Sequence, residues 1–368
     1  MIELDRRQVT DAVAKCHKGI SSRPGIPALT GILVSDGGYG TVTLSSTDLE
    51  CSVSVRIDGR GKAFVEPFLV PAKPLSDALK SCHGDTVTLT VADERVQVGG
   101  ASLRLLPAED FPGLQHPEAE VARLDAQTFA DTVKRILPAV STDYARPVLT
   151  GMLVEYDGTL SLTATDSYRL HTSDEGESLI GWKSIVPGRA LRTVAGWVGR
   201  KDTDRLTLYA DETQVTMSYG AWSLTSRVIE GDFPNYRQLI PERDPNGSSV
   251  SYGPDLVETL KAAARFAGSN VSPVKMTLAP GETPLLTVDS PDLGRFAQTS
   301  EGTYVGEPGT YAFNATYLHD AVKAAGDTGT IELRDGLRPL VIRGAVTALV
   351  MPFRLPAEYG AVDRRETA

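Results

Sequence analysis

Alternation and helical spacing divide the chain into recurring blocks. Across 147–170, PVLTGMLVEYDGTLSLTATDSYRL, an apolar strand carrying Leu149, Met152 and Val154 meets a turn at Asp157-Gly158. A second alternating strand (Leu160, Leu162, Ala164) then runs into the polar cluster Thr165, Asp166, Ser167, Tyr168 and Arg169. Two matched strands about an Asp-Gly turn form the strongest short-range hairpin signal. Apolar residues at helical spacing predict a helix over 5–20 (Val9, Ala12, Val13, Cys16), with Asp5 as its N-cap, and others over 125–140 and 254–267. Second helices are expected over 71–82, 188–200 and 314–326, and most of the remainder alternates in short strands broken by Gly, Asp and Asn.

The hairpin is written more than once. LTGILV at 29–34 returns as LTGMLV at 149–154, and TVTLSSTDLE returns as TLSLTATDSY with Asp48 in the place of Asp166. VPAK at 70–73 returns as VPGR at 186–189, and DFP at 110–112 as DFPNY at 232–236, each offset by about 120 residues. A fainter third copy, 272–296, puts Asp289 in that position, and FNATY at 313–317 replaces VPGRA. The expectation is an α+β protein of three repeated domains, 1–120, 121–245 and 246–368, each with two helices and roughly eight strands. The last would carry a C-terminal extension, 356–368.

Composition and charge narrow the function. At 41% hydrophobic and 23% charged residues, the chain reads as an ordinary globular protein. No apolar run of about 18 residues is present, so no membrane partner is expected, and MIELDRRQ does not read as a signal peptide. Cys16, Cys51 and Cys82 lack metal spacing and read as reduced thiols of a cytoplasmic protein. Five histidines lie scattered, no HExxH, GxSxG or phosphate-loop pattern follows a strand, and GGYG at 37–40 reads as a hairpin turn. No metal, cofactor or catalytic residue is expected. Asp166 and Arg169 could be pictured as an acid and its partner, but recurrence of the Asp as Asp48 and Asp289 argues for turn capping. The net charge of −10 argues against nucleic acid unless it is segregated. The six predicted helices sum to about +6, so basic helices could attract phosphate while acidic sheets repel it. A plain helical preference for Lys and Arg gives the same pattern.

TGMLVE with LTATDSYRL, DFPNYRQLIP at 232–241 and MPFRL at 351–355 together resemble the bacterial sliding clamp, the beta subunit of DNA polymerase III, over essentially the whole chain. The resemblance implies three domains of the DNA-clamp fold, two helices packed on antiparallel sheets in each. It also implies a head-to-tail homodimer that forms a six-domain ring. Such a protein is a non-catalytic processivity factor. It encircles double-stranded DNA without reading sequence and tethers the polymerase catalytic subunit; a clamp loader and other proteins with clamp-binding motifs are further partners. The alternative is a ring-less repeat scaffold, or a divergent clamp paralogue acting as a protein-interaction platform.

The family's peptide groove, carried over by position, comprises Leu149, Thr165, Tyr168, Arg169 and Leu170, then Pro234 and Leu239, and Asn314 with Tyr317. It is completed by Val350, Met351, Pro352, Phe353 and Arg354. Aliphatic walls with a few direction-fixing polar groups suit an extended peptide; ordinary interdomain core is the other reading of the apolar members. Arg169 is the expected polar anchor. DNA contacts carried over are Arg23, Arg146, Lys73 and Arg189, and the candidate dimer surfaces hold Leu103 and Phe266. Phe353 stands where the family commonly has Met, and the chain runs past Leu355 with a tail that is either disordered or laid over the groove.

Overall fold

A computed structural model describes residues 1–21, 25–61, 66–173, 181–199, 205–268, 272–334 and 336–354. Six α-helices run among them: α1 (Arg6–Cys16), α2 (Ala72–Ser81), α3 (Ala126–Ile136), α4 (Gly188–Trp197), α5 (Pro254–Ala267) and α6 (Ala315–Ala325). Three begin on side-chain caps that satisfy an otherwise orphaned amide. Asp5 accepts from the Gln8 amide at 2.8 Å, Asp125 from Thr128 at 2.7 Å and Asn314 from Tyr317 at 3.1 Å. α1 and α3 stop short of the expected 3.6-residue periodicity. Each passes into a 3-10 turn, His17–Gly19 and Leu137–Ala139, and in the second Pro138 has no amide to continue the α ladder.

The expected hairpin forms: Gly151–Tyr156 pairs antiparallel with Leu160–Thr165, Val154 opposite Leu162, and Gly158 takes a φ of +113° at the turn. Leu149 is a correction to the strand reading. It lies in a 3-10 turn, Pro147–Thr150, ahead of the strand, because Pro147 fixes its φ and has no amide to give to a ladder. GGYG turns the first-repeat hairpin, and Gly38, Tyr39 and Gly40 all have positive φ. Asp289 is a second correction. It sits inside the strand Leu285–Ser290, opposite Arg295, since the Pro291–Leu293 turn follows it directly. Its carboxylate takes Lys275 at 3.2 Å and Arg295 at 3.7 Å, and closes no turn.

The chain forms two compact units, Met1–Ala130 with Arg189–Val228, and Asp131–Gly188 with Ile229–Ala368. In the first, a 12-stranded sheet runs in order from Ala101–Arg104 through Arg95–Val98, Thr86–Ala92 and Ile2–Asp5 to Cys51–Gly61. It continues through Trp222–Arg227, Gln214–Tyr219 and Arg205–Ala210 to Glu120–Asp125. First-repeat and second-repeat strands meet where Val53 pairs with Leu224. In the second unit, a nine-stranded sheet repeats the arrangement, with Arg169–Thr172 against Thr347–Val350 and Leu170 opposite Leu349. A four-stranded sheet, from the edge Gly294–Thr299 to Gly309–Asn314, completes this unit with α5 and α6. Leu256, Leu260, Met276, Leu286, Phe313, Leu318 and Val322 form its apolar core, all buried. Successive repeats are thus joined by one ladder each. Ala101–Arg104 and Gly294–Thr299 end their sheets with a single neighbouring strand among the described residues.

Candidate peptide groove and charged surfaces

The Thr165–Leu170 turn is built from its own side chains. The Thr165 hydroxyl donates to the Arg169 carbonyl at 2.8 Å and accepts the Ser167 amide at 3.1 Å. Asp166 Oδ1 accepts the amides of Tyr168 and Arg169 at 2.9 and 3.0 Å, and Ser167 is held at a φ of +79°. The reversal throws Tyr168 outward, 61% exposed, and folds Arg169 in, its side chain 11% exposed. Arg169 Nε donates to Asp166 at 3.0 Å and Nη1 to Asp320 at 2.7 Å, while the guanidinium lies 4.2 Å from the Tyr317 ring centroid. Burial works against the Asp320 charge. Hydrogen bonds from His319 and Arg169, with the Arg169 charge, more than offset it and hold the carboxyl below its ordinary range. The cluster is therefore a charge-balanced, partly desolvated network. In the adjoining strand His171 is fully buried, its Nδ1 donating to the Arg135 carbonyl at 2.9 Å. Burial outweighs that bond and pushes the imidazole down to about 4.

The sequence-placed groove residues separate into two sets. Tyr168, Pro234, Leu239, Met351, Phe353 and Arg354 are exposed, Leu239 by 54%. Leu149, Thr165, Leu170 and Val350 are buried. Val350 is a correction as a lining residue: it belongs to the third-repeat core, and can only support the surface above it. Pro352 and Tyr317 are half-buried, and Asn314 uses its side chain to cap α6. The last described residues are tied down by backbone. The Met351 amide donates to the Tyr168 carbonyl at 2.9 Å, the Phe353 amide to the Ala312 carbonyl at 2.7 Å, and Pro352 bridges to Phe313. Arg169, the expected anchor, is already held by two carboxylates, which leaves its Nη2 as the part without a hydrogen bond among the described residues.

Four residues of this region escaped the sequence reading as parts of the site. Asp320 lies three positions after Tyr317 on α6, the spacing that puts both on one helical face. Arg237 donates to Glu155 at 2.8 Å, and the Tyr236 hydroxyl reaches the same carboxylate at 3.3 Å from a buried ring. A Glu inside an apolar strand was the available signal for that pair, since a buried carboxylate needs a cation.

The expected DNA cations have different surroundings. Lys73 is exposed near the start of α2. Arg146 donates to the Ser167 hydroxyl at 2.8 Å and to Asp143 at 3.4 Å, and Arg189 donates to Asp48 at 2.9 Å. Arg23 lies outside the described residues. Leu103 is half-buried on the edge strand Ala101–Arg104; Phe266, partly exposed at the end of α5, lies 5.4 Å from Phe296.

Helix pairs on antiparallel sheets, joined repeat to repeat by a shared ladder, beside a surface with apolar knobs, define a modular binding protein. Two family models place it further. The DNA polymerase III beta subunit N-terminal domain matches residues 1–115 and its central domain matches 123–235. A beta sliding clamp from Synechocystis sp. is 30% identical over 94% of this chain and 97% of that protein; one from Synechococcus elongatus is 29% identical over 95% and 98%. The solved DNA polymerase sliding clamp from Bacillus subtilis shares the fold with a TM-score of 0.86 at 23% identity, covering 96% of this chain and 99% of that one. The chain belongs to the bacterial beta sliding clamp family.

Proposed function

We propose that this chain is a DNA sliding clamp, a non-catalytic cytoplasmic subunit that encircles duplex DNA as a homodimeric ring. In this reading it tethers the replicative polymerase and other proteins bearing a clamp-binding segment, and a clamp loader opens it. Beyond family membership, one observation carries the reading. Cys51–Gly61 pairs with Trp222–Arg227, and Arg169–Thr172 with Thr347–Val350, so each repeat offers one strand to the next. By repeat position Gly294–Thr299 is the third offering strand and Ala101–Arg104 the first receiving strand, and each ends its sheet. Joining the tail edge of one copy to the head edge of another satisfies both, and two such contacts close a two-fold ring. Leu103 lies on the receiving edge, and Phe266 packs against Phe296 of the offering edge.

DNA would be met through phosphates alone, by Arg23, Lys73, Arg146 and Arg189, so binding would ignore sequence and weaken steeply with salt. The client groove would use Tyr168, Leu239, Met351 and Phe353 as apolar contacts, with Arg169 Nη2, Arg354 and backbone groups fixing direction; Leu149, Leu170 and Val350 support it from beneath. Analytical ultracentrifugation tests the assembly. The expected species has about twice the 39.4 kDa chain mass, and the double variant Leu103→Asp, Phe266→Asp gives monomers. A monomeric unaltered chain would favour the ring-less scaffold.

A further inference from the structure

At the junction of the first two repeats, the turn from Thr47 to Ser52, the Pro112–Gln115 segment and the second-repeat strands line a cleft of about 160 Å³. Four residues with polar side chains help to line it: Gln115, Gln214, Glu50 and Arg227. Among the described residues, none of these four side chains has a hydrogen bond or ion pair within the protein. The wall behind them is fixed. The Thr225 hydroxyl is held between His116 Nδ1 at 2.7 Å and the Thr216 hydroxyl at 2.8 Å, and Thr47 donates to the Cys51 carbonyl at 3.2 Å. Leu49, kept outward at a φ of +76° and 48% exposed, and Leu114 add apolar sides.

Size and charge select the occupant. A volume of 160 Å³ holds roughly five waters. That suits one long side chain and falls below the roughly 300 Å³ at which small-molecule pockets begin. Glu50 and Arg227 carry opposite charges, so an ammonium or a carboxylate entering the cleft meets one group of its own sign. A neutral group that both donates and accepts can satisfy the two carboxamides, the carboxylate and the guanidinium together. We propose that this cleft is a binding site for a single carboxamide side chain, Gln or Asn, carried on an extended segment of a partner protein. Its lining residues are distinct from those of the client groove.

The test is a methyl NMR titration of the full chain labelled at Leu and Met, using N-acetyl-glutamine methylamide as probe. The matching glutamate and lysine derivatives and free glutamine are the controls. Saturable shifts of the Leu49 and Leu114 methyls are expected with the blocked glutamine probe, weaker ones with the three controls. Gln115→Ala and Gln214→Ala should each weaken binding by about threefold to tenfold. Equal response to the lysine or glutamate probe, no saturable response, or tighter binding of free glutamine would overturn the proposal. A parallel titration with a Leu- and Phe-bearing peptide, read at Met351, reports the client groove separately. Its failure alongside a Leu49 response would count against the groove only.

Discussion

The turns at Thr47 and Thr165 are two copies of one backbone device. In both, the Asp Oδ1 accepts two consecutive amides, the Thr hydroxyl donates to the carbonyl four residues on, and the residue after the Asp has a φ near +78°, +76° for Leu49 and +79° for Ser167. Even the incoming strand is tied alike: the Arg227 amide reaches the Glu50 carbonyl and the Met351 amide the Tyr168 carbonyl, both at 2.9 Å. What the device carries differs. Asp48 gives its other oxygen to Arg189, whose side chain is 53% exposed, whereas Asp166 holds a largely buried Arg169 that continues to Asp320 on α6. The conformation depends only on Thr and Asp bonding their own neighbours. The side chains around it were therefore free to diverge, towards a polar cleft at one junction and apolar knobs beside a largely buried ion network at the other.

The largest contrast should come from the two arginines. Arg169→Ala leaves two partly buried carboxylates without their cation and should lower stability by about 3–5 kcal/mol, while Arg189→Ala removes a half-exposed, solvent-screened cation from a single carboxylate and should cost no more than about 1 kcal/mol. Urea unfolding of both variants measures the gap; equal losses would erase the distinction between the junctions.

Acid should act on the second junction next. The His171 imidazole is held neutral, with its value pushed from 6.5 down to about 4. The unfolded chain therefore binds the extra proton first as pH falls. The stabilisation is complete above 6.5 and is lost between 6.5 and about 4, on the order of 3 kcal/mol. Asp320, held below its usual range, adds a loss at still lower pH. His171→Asn should flatten the pH dependence of the unfolding midpoint over that window, and an unchanged slope would remove His171 as its source.

The smallest effect sharpens the comparison by including the third copy. Asp48→Ala and Asp166→Ala each leave two consecutive amides without their shared acceptor, an expected loss of about 1–2 kcal/mol from that turn. Asp289→Ala removes only half-exposed ion pairs, and thermal unfolding should show less than about 0.5 kcal/mol.

Much of this was legible in the chain because the repeat is local. The hairpin, the Asp5 cap and α5 follow from residues a few positions apart, and Pro254 and Ala267 bound that helix as the periodicity placed them. Asp289 misled because alignment carries identity and not the turn that follows it: Pro291 in the next turn keeps its neighbours in a strand. Leu149 was placed by pattern and Val350 by the family resemblance, but which side of a strand or turn meets solvent depends on layers contributed from distant sequence. Asp320 was invisible for the same reason. Its partner lies 151 residues away, and nothing in α6 alone announces a buried cation.

The single-neighbour strand Gly294–Thr299 also bears on how the protein behaves when scarce. A copy without a companion leaves a row of backbone amides and carbonyls open, a template that any extended chain can copy. Arg295 within it puts a charged side chain on the edge, which discourages indiscriminate stacking. Mass action then governs how long this strand stays uncovered. A newly made chain in a dilute pool is thus most exposed to proteases and to mispairing before it meets its first equal.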